Sequence, residues 1–104
     1  MVIGKRPSDR NVWGPEADVL LEAVLELRTK REARRFLRDL LTEDEIRMIV
    51  ARWGVARSLD AGQSYREIES QTGLSSRTIA RISRWLKRGE GGYRLALRRG
   101  GIAK

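Results

Sequence analysis

The side chains best suited to chemistry lie together in the C-terminal part of the chain. Ser75, Ser76, Arg77 and Thr78 offer short hydroxyls and a forked guanidinium, and Arg81, Arg84, Lys87 and Arg88 follow at helical spacing. Such groups donate hydrogen bonds to phosphate oxygens, and an arginine such as Arg77 can donate two bonds to the edge of a guanine. Arg66 lies just upstream in the same basic segment. Cysteine and histidine are both absent. Their absence removes disulfides, thiolate nucleophiles, Cys-containing zinc sites and the usual general base. Carboxylates exist, but no spacing places two of them in one pocket. The expected chemistry is therefore recognition of a polyanion, without enzyme activity, cofactor or metal.

The charge distribution agrees. The chain has 104 residues with 22 Lys/Arg and 14 Asp/Glu, a formal net charge of +8. Residues 1–63 hold 12 Lys/Arg against 11 Asp/Glu, a net of +1, whereas residues 64–104 hold 10 against 3, a net of +7. A cationic C-terminal part attached to a nearly neutral N-terminal part points to a nucleic-acid partner for the former. The length suits one domain. No apolar run approaches the ~20 residues of a membrane span, and the start of the chain lacks the apolar core of a secretory signal, so a cytoplasmic protein is expected.

The elements that position these residues read as helices throughout, since no stretch alternates at period two. Residues 1–14 mix Gly, Pro, Ser, Asp and basic residues without periodicity and read as a flexible arm, with Val12 and Trp13 able to anchor its end. Pro15 suits a first helical turn, and Ala17, Leu20, Leu21, Val24, Leu25 and Leu27 continue an apolar face to about Arg28. Thr29 with Glu32, Thr42 with Glu45 and Ser64 with Glu67 have the spacing of capping boxes. They start a second helix carrying Ala33, Phe36, Leu37, Leu40 and Leu41 opposite Arg31, Arg34, Arg35 and Arg38. The third is a long helix to about Ala61, with Ile46, Ile49, Val50, Trp53, Ala56 and Leu59 on its face. The next is short and reaches Thr72. Ser75 or Ser76 caps the helix that follows, with Ile79, Ile82 and Leu86 inward. Gly89, Gly91 and Gly92 break it, Tyr93 to Arg99 form a last amphipathic turn or two, and residues 100–104 read as a flexible tail. The expected fold is all-α, with five to six helices in one domain over 15–99.

Two short capped helices separated by Gly73 over residues 64–88, with Ile68 on the first and Ile79 and Ile82 on the second, have the form of a helix-turn-helix. In such a unit the second helix enters the major groove and its first residues meet base edges. A capped surface helix pair without ligand would share the caps, but the glycine, the apolar positions and the local charge agree with one another and favour DNA. An RNA-binding protein, or a protein-interaction module, would use the same basic surface. Glu69 stands four residues before Gly73, where a small residue is usual, so an open helix crossing is expected.

The run LTEDEIRMIVARWGVARSLDAGQSYREIESQTGLSSRTIARISRWLKRGEGGYRLAL, preceded by DVLLEAVLELRTKREARRFLRDLL, resembles the Trp repressor superfamily. Within it, the phrases SYREI, TG followed by SSRTI, and GGYRLAL resemble the YerC/YecD-type Trp-repressor-related proteins. The likeness spans about Asp18 to Leu97. It implies an intertwined homodimer whose N-terminal helices interlock, a role in transcription as a repressor, and reading of a pseudo-palindromic operator by two helix-turn-helix heads. It assigns operator contact to Arg66 and to Ser75, Ser76, Arg77 and Thr78. It also places Arg52, Thr78 and Arg81 around an effector pocket, with Thr42 as a further pocket position. In that resemblance Arg52 and Arg81 sandwich an indole. Ile82 and Trp85 stand where the repressor has glycine and serine, which argues against tryptophan as the effector. Trp85 is then expected to act as a wedge within that pocket, or to face the helix-turn-helix core. Thr42 is read in preference as a helix cap, whereas Arg52 and Arg81 serve equally for phosphate contact or intrachain pairing.

Overall fold

The caps read from the sequence begin the helices close to where they are expected. A computed structural model of the chain describes residues 12–102. Among these residues six helices follow one another: α1 (Pro15–Leu25), α2 (Lys30–Leu40), α3 (Glu43–Asp60), α4 (Tyr65–Thr72), α5 (Ser76–Arg88) and α6 (Gly92–Ile102). The fold is all-α. No described helix is long and apolar enough to cross a membrane. The arm expected over residues 1–14 lies outside the described residues up to Asn11.

Physical causes are visible at the starts of α1 to α4. Pro15 occupies the first position of α1 behind Gly14. Ser64 and Glu67 form the full reciprocal cap of α4: the Glu67 amide donates to Ser64 Oγ at 3.1 Å, and the Ser64 amide donates to Glu67 Oε1 at 2.8 Å. Thr42 and Glu45 make the same pair of bonds at 3.1 and 2.8 Å before α3. At α2 only half of the box forms. Thr29 Oγ1 accepts from the Glu32 amide at 3.0 Å, but the Glu32 carboxylate reaches one residue further back, to the Arg28 amide, at 2.8 Å.

That bond also explains why α1 is shorter than expected. The Arg28 amide is held by Glu32 and Thr29 is extended at φ −131°, ψ 161°, so the helix stops at Leu25 and Leu27 falls outside it. At the other end of the chain the expected break near Arg99 does not occur. Instead α6 continues through Gly100 to Ile102, because a glycine inside a helix costs only about 1 kcal/mol relative to alanine and does not by itself stop one.

The described residues group into two compact units, residues 12–49 and residues 50–102. In the first, α1 and α2 contain no buried residue. Val19, Leu20, Leu21, Val24 and Leu25 of α1, and Leu40 of α2, are exposed. Exposed ion pairs join Arg38 to Glu43 and Arg47 to both Glu43 and Asp44; pairs of this kind each contribute less than about 1 kcal/mol. The second unit has a core of Val55, Ala56, Ile68, Ile79 and Ile82, flanked by Trp53, Leu59, Leu74 and Tyr93. On α3, therefore, the expected apolar face is only partly used: Ile49 and Val50 stay exposed, and Val55 is buried in their place.

Candidate nucleic-acid interface

The α4–turn–α5 unit is fixed by apolar burial and by a closely bonded turn. Ile68 of α4 and Ile79 of α5 are fully buried and Ile82 nearly so. Between the helices Gly73 adopts φ 77°, the left-handed conformation that glycine takes without a side-chain clash. Its amide donates to the Glu69 carbonyl at 2.8 Å. Thr72 ties both sides, its hydroxyl donating to the Ile68 carbonyl at 2.7 Å and accepting from the Leu74 amide at 3.1 Å. The chain then enters α5 at Ser75, which settles the choice of cap: Ser75 Oγ accepts from the Thr78 amide at 3.2 Å and lies 3.1 Å from Thr78 Oγ1.

The polar side chains named from the sequence divide accordingly. Ser76, Arg77, Arg81, Arg84, Lys87 and Arg88 on α5, and Arg66 on α4, are exposed. None of these cations pairs with a carboxylate among the described residues, in contrast to Arg38 and Arg47. Thr78 is half-buried, with its hydroxyl engaged by Ser75. The first turns of α1, α2, α3 and α4 all hold acidic residues, whereas those of α5 and α6 hold none. The positive end of the α5 dipole is thus left without an internal carboxylate, beside the Arg77 guanidinium.

On another side of α5 lies a cavity of about 620 Å³, lined by Arg52, Trp53, Arg81, Ile82, Trp85, Glu90, Gly92, Tyr93 and Ala96. This volume falls within the usual range for small-molecule sites. Arg52, Arg81 and Trp85, named together from the sequence, all line this cavity, whereas Thr78 and Thr42 are not among the lining residues. Ile82 lies almost wholly in the core, and Trp85, 38% exposed, stands at the wall and leaves the cavity open. Its indole lies against the Gly89 backbone so closely that a Cβ there would fall 2.8 Å from Trp85 Cε3. The sequence reading missed Trp53, Tyr93 and Glu90. Trp53 and Tyr93 stack with ring centroids 6.3 Å apart at 14°; Trp53 could be assigned only to the core, and Tyr93 follows a glycine cluster that obscures its partner. Among the described residues no acidic cluster could hold a metal ion.

Comparison with known proteins agrees with this architecture. The family model for the Trp repressor protein matches residues 15–100. An uncharacterized protein, YerC, from Bacillus subtilis (strain 168) is 42% identical over 86 residues, covering 83% of each chain. A TrpR-like protein from Eubacterium eligens superposes with a TM-score of 0.80 at 34% identity, over 86% of this chain and 92% of that one. A candidate Trp repressor from Staphylococcus aureus superposes with a TM-score of 0.81 at 35% identity, over 88% and 91%. The chain belongs to the Trp repressor family and is of the YerC type.

Proposed function

We propose that this protein is a sequence-specific DNA-binding transcriptional regulator, acting as a homodimeric repressor through the α4–α5 helix-turn-helix. The observation that carries this reading is the start of α5, which is capped by Ser75, exposed, free of acidic residues in its first turn, and held on α4 by Ile68, Ile79 and Ile82. Ser75, Ser76 and Arg77 then face the major groove, with Thr78 bracing the cap. Arg81, Arg84, Lys87, Arg88 and Arg66 meet phosphates, whose neutralisation supplies most of the salt-dependent affinity.

Family membership supports a dimer, and so do the many exposed large apolar side chains within residues 12–49, those of α1 with Leu40, Met48 and Ile49. Large apolar patches of this kind are rare on monomers and mark association surfaces. The cavity beside Arg52, Arg81 and Trp85 is assigned to a small-molecule effector other than tryptophan. The test is selection of bound fragments from a random duplex library. An enriched pseudo-palindrome with half-sites about one helical turn apart is expected. Equal recovery of all duplexes, or preference for structured RNA, refutes sequence-specific regulation of DNA.

A further inference from the structure

Every α-helix ends with four carbonyls that have no partner inside the helix, and at α5 these are the carbonyls of Trp85, Leu86, Lys87 and Arg88. The Trp85 carbonyl accepts from the Gly89 amide at 2.9 Å. The next two are taken by a residue of the following helix: Arg94 Nε donates to the Leu86 carbonyl at 3.0 Å, and Arg94 Nη2 donates to the Lys87 carbonyl at 3.3 Å. Gly91, in the left-handed region at φ 86°, makes the turn that brings Arg94 back over the end of α5. A single guanidinium thus bridges two consecutive carbonyls with two of its nitrogens, a geometry that an ammonium cannot reproduce.

We propose that Arg94 is a positioning residue for DNA binding: it clamps the C-terminal end of α5 and so fixes where Lys87 and Arg88 present their charges. The proposal rests on the reading of α5 as the DNA-reading helix. Left bare, the last carbonyls of α5 would place the negative end of the helix dipole where phosphates approach. Arg94 covers two of them with a positive group, committing two of its five N–H donors to α5. Its proposed role is exerted through α5, and a phosphate contact by the remaining donors is the outcome that the salt slope tests. The two helices joined by this clamp, α5 and α6, also form walls of the effector cavity through Arg81, Ile82, Trp85, Gly92, Tyr93 and Ala96. The clamp thereby sets the DNA-reading helix and the cavity in one fixed relation.

The experiment compares wild type, Arg94→Ala and Arg94→Lys in operator affinity across a salt series and in amide hydrogen exchange. Arg94→Ala is expected to weaken operator binding about tenfold, or about 1.4 kcal/mol, with the salt slope unchanged and faster exchange in the last turn of α5 than in α4. Arg94→Lys keeps the charge and should show a smaller loss of the same kind; it carries the test if Arg94→Ala does not fold. A salt slope reduced by about one makes Arg94 a phosphate contact and overturns the proposal. Full recovery by lysine, or faster exchange with unchanged affinity, also overturns it. If wild type selects no duplex at all, the proposed function fails, while the exchange arm still reports whether the clamp holds α5.

Discussion

Gly73 and Gly89 flank α5 and are held as glycine for opposite reasons, so their substitutions should separate. At Gly73 a Cβ would meet nothing within 4 Å, but φ is 77°; the cost of alanine is purely conformational, about 1–2 kcal/mol. Asparagine tolerates this region better than alanine, so Gly73→Asn should regain part of the loss. At Gly89 φ is −86°, which side-chain-bearing residues adopt, but a Cβ would lie 2.5 Å from the Trp85 carbonyl oxygen and 2.8 Å from Trp85 Cε3. That oxygen also accepts the Gly89 amide at 2.9 Å, so it cannot retreat without breaking the end of the helix. Overpacking of this sort costs about 1–3 kcal/mol, and asparagine should be no better than alanine. Urea unfolding at one fixed protein concentration measures the four variants, the fixed concentration removing any effect of mass action on association. Native tryptophan emission should change only in the Gly89 variants, because only they displace the Trp85 indole. An unshifted midpoint for Gly73→Ala refutes the left-handed turn, and an unshifted midpoint and spectrum for Gly89→Ala refute the contact with Trp85.

Arg77→Ala should cost about 1–3 kcal/mol on a selected operator and blur preference at one base pair per half-site, whereas Lys87→Ala should weaken all duplexes alike and lower the salt slope by about one; equal losses on operator and random DNA for both would reduce α5 to an electrostatic anchor. Sedimentation equilibrium at micromolar concentration should report about twice 11.9 kDa, with association weakened by alanine at Leu20, Val24, Phe36 or Leu40 and a melting temperature that rises with protein concentration; a concentration-independent monomer refutes the interlocked dimer. L-Tryptophan followed by calorimetry and operator binding should raise affinity less than tenfold, since Thr78 lies outside the cavity and Trp85 forms one wall; a tenfold or larger gain, about 1.4 kcal/mol of coupling, refutes this.

Much of the fold was legible because helix starts are written in short, chemically specific phrases. Ser64 with Glu67 and Thr42 with Glu45 each satisfy two amides reciprocally, and both appear as read. Helix ends were less legible, since nothing in the periodicity of Leu25 and Leu27 shows that Glu32 will hold the Arg28 amide. The face of α3 was half legible for a related reason. Ile49, Val50 and Trp53 share a periodic pattern, but burial depends on what packs against each turn: Val55 and Ala56 are buried, Trp53 and Leu59 are partly buried against them, and Ile49 and Val50 stay exposed. Arg94 was invisible as a functional residue: its partners are carbonyls, and a carbonyl has no signature in the sequence.

Charge alone does not favour α5 over α2 as the reading helix of the proposed function. Arg31, Arg34 and Arg35 of α2 are exposed too, and on a count of cations α2 would compete. The difference between α2 and α5 lies in where acids stand relative to the helix start. In α2 Glu32 occupies the first turn, and its carboxylate is consumed by the Arg28 amide, so the positive end of that dipole is answered from within the chain. In α5 a neutral serine caps the helix, no carboxylate follows in the first turn, and Arg77 adds positive charge where the dipole is already positive. That arrangement raises the free energy of the isolated protein slightly, by a few tenths to about 1 kcal/mol on the usual scale of helix-dipole effects. An approaching phosphate supplies the missing negative charge and relieves it, since oriented amides at a helix start form an anion site. Under the proposed function, the α5 start would give up a little intrachain stability in favour of an external anion. Its packing on α4 through Ile68, Ile79 and the Gly73 turn would then convert that anion preference into a fixed orientation on a duplex.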